Sequence, residues 1–280
     1  MEGAVVRYIL SWVEENIYTG ASIGKLVDET GYSRRTLELW FLKYSGFPLG
    51  EYLLRRRMSR AAMLLRMTEL SILEVSTMFH FYSSQNFTRS FRIFSGVTPT
   101  KYRKQDKWSV KLLQRPLLME DTHNLKAEHC VLPELKLRGS SVVCAHNFIL
   151  PLVEDDLARR MKSAVSSIRD NSGNEVCIAF RIMPSASLSA SRDAVINVEM
   201  IIHDMDEKKE GTEEIVIPAG EYIQFRFSGL WSEYIVFTRL VYFKLVEEKV
   251  CRRNSYDLIF FTYQPDSNDD LICRLLIPVE

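Results

Sequence analysis

The chain carries the stretch GYSRRTLELWFLKYSG at residues 31–46 and a related stretch, FYSSQNFTRSFRIFSG, at residues 81–96. A Tyr-Ser pair, a phenylalanine and a Ser-Gly pair recur at an offset of 50 positions. Each copy is typical of a short helix, a turn and a second helix, so the sequence predicts two helix-turn-helix units in tandem. Two such units joined by a rigid spacer would suit a protein that contacts two consecutive major grooves of DNA.

Capping residues mark the predicted helices. A first amphipathic helix is expected over residues 5–17, and a second helix between Ser22 and Gly31. Ser33 and Ser83 are favourable N-caps for the second helix of each unit. Ser71 to Phe79 forms the first helix of the second unit, and Thr98-Pro99 opens a last short helix.

Between the two copies the sequence predicts one continuous helix. Pro48 suits a first helical turn, and no helix breaker follows Gly50 before Thr68. About 20 residues at ~1.5 Å each give a rod of ~30 Å. Successive major-groove faces of B-DNA recur every ~34 Å, so this helix could hold two DNA-contacting helices one turn apart.

Composition bounds the fold and hides a charge asymmetry. The chain has 280 residues, is 46% hydrophobic and 26% charged, and has a formal net charge of zero. Residues 1–110 contain 16 Lys/Arg and 10 Asp/Glu, whereas residues 111–280 contain 20 and 26. A basic module therefore precedes an acidic one. The five cysteines are scattered and form no CxxC pair, as expected of a protein in a reducing cytoplasm. No apolar run is long enough to span a membrane. A DNA-binding protein of this kind is expected on the nucleoid.

The chain divides into three predicted parts. Residues 1–106 form the all-α domain, with two helix-turn-helix units joined by the long helix. Residues 107–125 have no clean period and are predicted to be a linker. Residues 126–280 are predicted to fold as an α+β domain. Its expected strands are Val195–His203, 215–227, 258–263 and 271–278. Its expected helices are 154–169 and 230–247.

The helices that would read DNA carry short polar and cationic side chains near their starts. Gln and Asn can pair with adenine and Arg with guanine, each worth about 1–3 kcal/mol of discrimination. A carboxylate can accept from a cytosine amine, so Glu38 is expected to sharpen choice rather than add affinity. The candidate base-reading residues are Arg34, Arg35, Thr36 and Glu38 in the first unit, and Ser84, Gln85, Asn86, Thr88 and Arg89 in the second.

Further basic residues suit contacts to phosphates, which position a protein on DNA without reading its sequence. Arginines on a helix surface are as often merely solvated, and any one of these residues could be. As a set beside two helix-turn-helix units they favour phosphate contact. The candidates are Arg56, Arg57 and Arg60 on the connecting helix, and Lys101 and Arg103 at the end of the second unit.

The first 105 or so residues resemble the AraC/XylS family of transcription regulators. The matching positions are Gly31-Tyr32-Ser33, Leu37, Phe41, Gly46, Tyr52, Arg56-Arg57, Ala62, Ser83, Gln85, Phe87-Thr88-Arg89, Phe91, Pro99 and Tyr102-Arg103. Downstream, residues 217–222 and 275–278 resemble the GyrI-like effector-binding domain. The combination is similar to the Rob-like subgroup of the family.

This resemblance implies a regulator, most simply an activator, that binds an asymmetric promoter site as a monomer and recruits RNA polymerase. It implies double-stranded DNA as a partner and no cofactor. Arg35, Glu38 and Leu39 stand where Rob-like relatives usually place Trp, Gln and Arg. A related but altered DNA site is therefore expected.

The resemblance also implies an apolar, aromatic-lined cleft in the acidic domain, where a small amphipathic effector would modulate the protein. Candidate pocket residues are Glu199, Tyr222, Trp231, Tyr234, Tyr263 and Arg274. Arg274 replaces an acid of Rob-like relatives, so an anionic, bile-salt-like ligand, or none, becomes credible. The alternatives are that Glu199 is simply solvated and that the aromatic residues are ordinary core.

Two other functions remain open. One is a small-molecule-binding or sequestering protein with vestigial DNA binding. The other is a hydrolase activity in the GyrI-like part, which lacks an evident acid-base pair or a GxSxG motif. The five histidines show no metal-ligand spacing, so no metal site is expected. Without an acid-base pair or a nucleophile motif, no enzyme activity is expected either. Loss of specific DNA binding on substitution of Arg89 and Gln85, with ligand affinity retained, would distinguish a regulator from a sequestering protein.

Overall fold

A computed structural model describes residues 2–105, 107–117, 125–147, 156–170, 175–183, 195–203, 213–262 and 271–280. These residues form two units. The first holds residues 2–105 and 112–117, and the second holds residues 107–111 together with the described residues from 125 onward. Part of the predicted linker is ordered, because Trp108–Ser109 forms a strand that pairs with Cys251–Arg252.

The first unit is helical, as predicted. Its seven helices, among the residues described, are α1 (Glu2–Asn16), α2 (Ile23–Thr30), α3 (Arg34–Ser45), α4 (Leu49–Met67), α5 (Ile72–Met78), α6 (Ser84–Ser95) and α7 (Pro99–Arg103). A short 3₁₀ turn, Val110–Leu112, follows in the chain. The predicted long helix between the two copies is confirmed as the 19-residue α4.

The predicted starts of α3 and α6 are confirmed by their capping geometry. The Ser33 hydroxyl accepts a hydrogen bond from the Thr36 amide at 3.2 Å, and the Ser83 hydroxyl accepts one from the Asn86 amide at 3.1 Å. At the other ends Gly46 and Gly96 have φ values of 80° and 79°. Only glycine adopts this left-handed conformation without strain, so both helices stop at equivalent positions.

The core of the first unit gathers the inward faces of α1 to α4. Val13, Leu26, Leu37, Phe41 and Tyr52 are all fully buried there. Leu37 and Phe41 are four residues apart and so lie on one face of α3, the apolar face of an amphipathic helix.

Residues 112–117 are held against α4 by polar contacts. The Leu117 amide donates to the Tyr52 hydroxyl at 2.9 Å, and the Gln114 amide donates to the Ser59 hydroxyl at 2.7 Å. This segment has no periodic pattern of apolar residues, because its hydrogen bonds go to side chains and not to a regular backbone ladder.

The second unit is built on antiparallel strands, and the predicted α+β class is confirmed. Its described strands are β1 (Trp108–Ser109), β2 (Glu128–Leu132), β3 (Leu135–Asn147), β4 (Glu175–Met183), β5 (Val195–His203), β6 (Glu213–Ile217), β7 (Gly220–Gly229), β8 (Cys251–Arg252), β9 (Asp257–Thr262) and β10 (Leu271–Pro278). Its helices are α8 (Asp156–Asp170) and α9 (Trp231–Glu247). Eight strands form one sheet in the order β2-β7-β10-β9-β4-β5-β3-β6.

One predicted strand was wrong. The segment 215–227 is two strands, β6 and β7, separated at Pro218-Ala219. Proline has no amide hydrogen to donate to a sheet, so the ladder is interrupted there. β6 then pairs with β3, whereas β7 pairs with β2 and β10.

The two faces of the large sheet carry different cores. Tyr222, Ala179, Ile201, Leu258 and Leu276 belong to one buried cluster. On the other face Tyr234 of α9 packs edge-on against Phe227 and Phe261, with ring centroids 5.8 and 5.6 Å apart. Side chains of successive strand residues point to opposite faces, so this division follows directly from the strand register.

Candidate nucleic-acid interface

The outward side of α3 and that of α6 present three exposed residues each at the same helical spacing. We define the α3 outer face as Arg35, Leu39 and Leu42, and the α6 outer face as Gln85, Arg89 and Arg92. The spacing of four and then three residues keeps each set on one side of its helix. Each position in α3 has its counterpart 50 residues later in α6.

The structure places the candidate base-reading residues in two environments. Arg34, Arg35, Gln85, Asn86 and Arg89 are exposed near the helix starts, whereas Thr36, Glu38, Ser84 and Thr88 are half-buried. Exposure near the first turns is the geometry by which a recognition helix reaches base edges in the major groove.

A groove runs beside the α6 outer face and adds residues that the sequence reading missed. Its wall includes Leu73 of α5 and Ile93 of α6, both exposed, together with Arg92. Ile93 and Arg92 follow Arg89 by four and three residues, so helical spacing from Arg89 would have found them. The groove is also lined by Ile72, Ser84, Gln85, Thr88, Arg89, Thr98 and Thr100.

Glu38 has a different role from the one predicted. Its carboxylate accepts a hydrogen bond from the Leu49 amide at 3.0 Å, in the first turn of α4. The N-cap residue of α4 is Pro48, whose side chain makes no capping hydrogen bond. Glu38 therefore satisfies an amide that the N-cap leaves open, and its carboxylate is directed toward the start of α4 instead of a cytosine.

The predicted phosphate contact of Arg56 was wrong. Arg56 is 1% exposed, and its guanidinium donates to both carboxylate oxygens of Glu14, at 2.7 and 2.6 Å. It also donates to the backbone carbonyl of Gln114. A buried guanidinium with these partners cannot reach a DNA backbone, and it instead links α1 and α4 to the segment 112–117.

The other predicted phosphate contacts are partly engaged inside the protein. Arg57 donates to the Ala21 carbonyl at 2.7 Å, and Arg60 is half-buried. Arg103 donates to the Leu65 carbonyl at 3.0 Å and to that of Leu70. Lys101 is exposed and keeps its place as a candidate phosphate contact.

Comparison with known proteins supports the helical unit as a DNA-binding module. A family model described as a helix-turn-helix domain matches residues 26–105. The HTH-type transcriptional activator AarP of Providencia stuartii is 33% identical over 105 residues, which are 38% of this chain and 78% of that protein. The chain belongs to the AraC family. Like the other members of this family, it is a DNA-binding transcription regulator.

Two other AraC-family relatives match nearly the whole chain. The F1 operon positive regulatory protein of Yersinia pestis is 29% identical over 279 residues, 98% of this chain and 87% of that protein. The transcriptional regulator Rob of Salmonella typhimurium is 24% identical over 290 residues, 99% of each chain. Both names describe regulators and neither describes an enzyme. Within the described part of this AraC-family chain, no helix is long and apolar enough to cross a membrane.

The predicted ligand pocket of this AraC-family protein is not assembled around one cleft. In the register of the sheet, Arg274 pairs with Phe260 and Glu199 with Arg181, on the face that also carries Tyr222. Tyr234 and Trp231 belong to the opposite face, where their rings stack at 5.1 Å. Tyr263 lies outside the described residues. The five described candidates are thus divided between the two sides of the sheet.

Glu199 and Arg274 each have a partner of opposite charge. The Glu199 carboxylate accepts from Arg181 Nε at 2.5 Å and from the Tyr256 hydroxyl at 2.9 Å. The Arg274 guanidinium donates to Glu175 at 2.8 Å and lies 4.8 Å from the centroid of the Phe260 ring. A carboxylate neutralised in this way is a poor attractor for a cationic ligand.

Proposed function

We propose that the chain binds an asymmetric promoter site as a monomer, with α3 in one major groove and α6 in the next. The observation that carries this proposal is the repeat of a helix pair within a single unit, with α3 and α6 at an offset of 50 residues. The pairs α2–α3 and α5–α6 would then be two helix-turn-helix units, each with its own outer face.

The repeat extends to hydrogen bonds behind the outer faces. The Ser45 hydroxyl donates to the carbonyls of Phe41 and Phe47 at 2.8 and 2.9 Å. The Ser95 hydroxyl donates to those of Phe91 and Val97, both at 2.9 Å. A serine that ties the end of a helix to the following turn in both copies fixes the same exit geometry twice.

The connecting helix has the dimensions that the proposal needs. α4 contains 19 residues, which correspond to about 28 Å of rise. One turn of B-DNA places the next major-groove face ~34 Å away. The two copies differ on their outer faces, so the two half-sites would differ in sequence and the whole site would be asymmetric.

We further propose that the protein activates transcription by contacting RNA polymerase at the promoter, in the cytoplasm on the nucleoid. The relatives named as an activator and as a positive regulatory protein support this direction. We expect Arg34, Arg35, Gln85, Asn86 and Arg89 to reach bases.

The test is selection of bound fragments from random duplex DNA at a stated salt concentration, followed by titration of the selected site. Arg89→Ala and Gln85→Ala should each relax preference at one base pair by about 10- to 100-fold. The matched control is Arg226→Ala, which removes an exposed arginine from β7 in the other unit. Sedimentation of the complex reports whether one chain binds.

Three results would count against the proposal. The first is the absence of any preferred duplex. The second is a palindromic selected site with two chains bound. The third is a footprint restricted to one major groove, because it would mean that only one of the two helices reads DNA.

A second candidate function concerns the GyrI-like assignment of the second unit. We propose that a small amphipathic effector binds beside α9 and modulates the DNA-binding unit. Trp231 Nε1 and the buried Tyr234 hydroxyl both lack a hydrogen-bond partner among the described residues. Two buried donors within an aromatic cluster favour a ligand that offers acceptor atoms on an apolar body.

A bile salt is a suitable probe of this second candidate. Its titration should quench the fluorescence of Trp231, and Tyr234→Phe should weaken the response by removing one donor. A change in DNA affinity on addition of the bile salt would support modulation. Ligand binding without specific DNA binding would favour the alternative of a sequestering protein, and no binding would exclude this class of effector.

A further inference from the structure

We infer that α3 reads thymine, through contact between Leu39 and Leu42 and the 5-methyl groups of a half-site in the major groove. This inference rests on the proposed function and specifies the chemistry of one half of the DNA site. It assigns the α3 outer face an apolar mode of reading, in contrast to the cationic α6 outer face.

The first observation is the exposure of both leucines. Leu39 is 60% exposed and Leu42 is 43% exposed, whereas Leu37 and Phe41 on the inward side of α3 are fully buried. The core of the unit is therefore complete without Leu39 and Leu42. Two neighbouring exposed leucines on a helix that presents few other apolar groups mark a surface for contact.

The second observation is the position of these leucines in the repeat. Leu39 and Leu42 correspond to Arg89 and Arg92, and Arg35, one turn before Leu39, corresponds to Gln85. The helices are capped by equivalent serines and stop at equivalent glycines. If α6 directs Arg89 at base edges, the same docking of α3 directs Leu39 at base edges.

Among the four bases only thymine presents a methyl group in the major groove, and an apolar side chain can pack against it. Leucine has no donor or acceptor, so a guanine or a cytosine edge under it would lose water without gaining a hydrogen bond. The leucines therefore favour thymine and also disfavour G·C pairs at the same positions.

Neighbouring side chains are consistent with this reading. The Glu38 carboxylate accepts a hydrogen bond from the Leu49 amide, which directs it toward the start of α4. Arg34 and Arg35 are exposed at the start of α3 and provide the positive charge that holds the helix against DNA. Because the leucines lie on the same helix as these arginines, DNA is the occupant to which we commit.

The experiment uses the full chain and its selected site. Each thymine of the α3 half-site is replaced in turn by deoxyuridine, which lacks only the 5-methyl group. We expect at least one replacement to weaken binding by the wild-type protein about fourfold, the effect of losing one buried methyl. The same replacement should change binding by Leu39→Ala or Leu42→Ala by less than about 1.5-fold, because the contact is already absent.

Leu54→Ala is the matched control. Leu54 is 44% exposed on α4, so its truncation removes a similar exposed side chain outside the α3 outer face. This variant should retain the full deoxyuridine effect. Because Leu39, Leu42 and Leu54 are all exposed, each variant is expected to unfold at nearly the wild-type temperature, which a thermal melt checks.

The outcomes separate this inference from the proposed function. A selected site at which deoxyuridine has equal effects on wild type, Leu39→Ala and Leu42→Ala would overturn the inference alone. So would variants that keep DNA selection but lose transcription activation, because the leucines would then face a protein. Failure to recover any preferred site would overturn the proposed function, and this inference with it.

Discussion

In the helix pairs α2–α3 and α5–α6, the second helices α3 and α6 have the same length and capping geometry but different neighbouring residues. α3 and α6 each contain 12 residues, begin after a serine cap and end before a left-handed glycine. The helix that follows each pair is capped differently. α4 relies on Glu38, because its N-cap is Pro48, whereas α7 is capped by the side chain of Thr98.

The caps and the buried residues of α3 and α6 lie at equivalent positions, whereas the side chains of their outer faces differ. Leu37 and Phe41 are buried as completely as Phe87 and Phe91. The outer faces are solvated, so substitution there costs little stability and can change which bases are read. Specificity can therefore diverge between the two halves of a single unit without a change of fold.

The largest expected effect concerns the ion pair between Glu14 of α1 and Arg56 of α4, the helices that precede and follow the first pair in the chain. Glu14→Gln removes the charge that compensates Arg56 and leaves a buried guanidinium without a counter-ion. We expect the free energy of unfolding of the helical unit to fall by about 3 kcal/mol, measured by urea unfolding followed by helical circular dichroism.

The double variant Glu14→Leu with Arg56→Met is the control for this prediction. Two apolar residues of similar volume should recover most of the lost stability, because no charge remains buried. DNA affinity of the folded double variant should match that of the wild type. A large loss of affinity at low salt would show instead that Arg56 contacts a phosphate, as the sequence suggested.

Much of the fold could be predicted from sequence because its signals are local. The serine caps, the left-handed glycines and the apolar stripes of α3, α4 and α6 act within a few residues of each helix end. The ordered part of the predicted linker could not be predicted in this way. Trp108–Ser109 pairs with residues more than 140 positions away, and Gln114 and Leu117 bond to side chains of α4.

The site was predictable only in part, for the same physical reason. Helical spacing and capping located Gln85 and Arg89 correctly on an exposed face near a helix start. The sequence could not show that Arg56 faces Glu14, 42 residues earlier, or that Glu38 caps the next helix. Composition also could not reveal that Tyr234 and Glu199 lie on opposite faces of a sheet.

A second prediction concerns the tyrosines at the equivalent positions 32 and 82. Tyr32 packs edge-on against Trp40, with ring centroids 5.0 Å apart. Tyr82 is 98% exposed, and Ser90 occupies the position in the second pair that corresponds to Trp40. Tyr32→Ala should cost about 1–2 kcal/mol of unfolding free energy, and Tyr82→Ala less than about 0.5. Trp40→Ser should reproduce much of the Tyr32→Ala loss, and equal effects of the two tyrosine variants would contradict the comparison.

A third prediction tests whether the two capping solutions are equivalent. Glu38→Ala and Thr98→Ala should each lower the free energy of unfolding by about 1 kcal/mol, because each leaves amides uncapped in the first turn of the next helix. Glu38→Gln keeps an acceptor and should cost less. The base preferences of the α3 half-site should persist in Glu38→Ala, and a relaxed preference at one C·G pair would return Glu38 to a reading role.

The smallest expected effect comes from a capping box that only the second pair possesses. The Glu74 carboxylate accepts from the Ser71 amide at 2.7 Å, whereas in the first pair the third residue after the N-cap Ser22 is Lys25. Hydrogen bonds from Ser71 lower the pKa of Glu74 below its usual 4.5. Since the folded pKa is lowered, the stabilisation is complete above the ordinary pKa and is lost as the pH falls through the lowered value. Glu74→Gln should therefore cost about 0.5 kcal/mol near pH 7, and the difference from wild type should vanish in acid. Amide exchange in α5, measured across this pH range in both proteins, checks this prediction. A difference between the two proteins that persists unchanged at low pH would instead assign the stabilisation to packing.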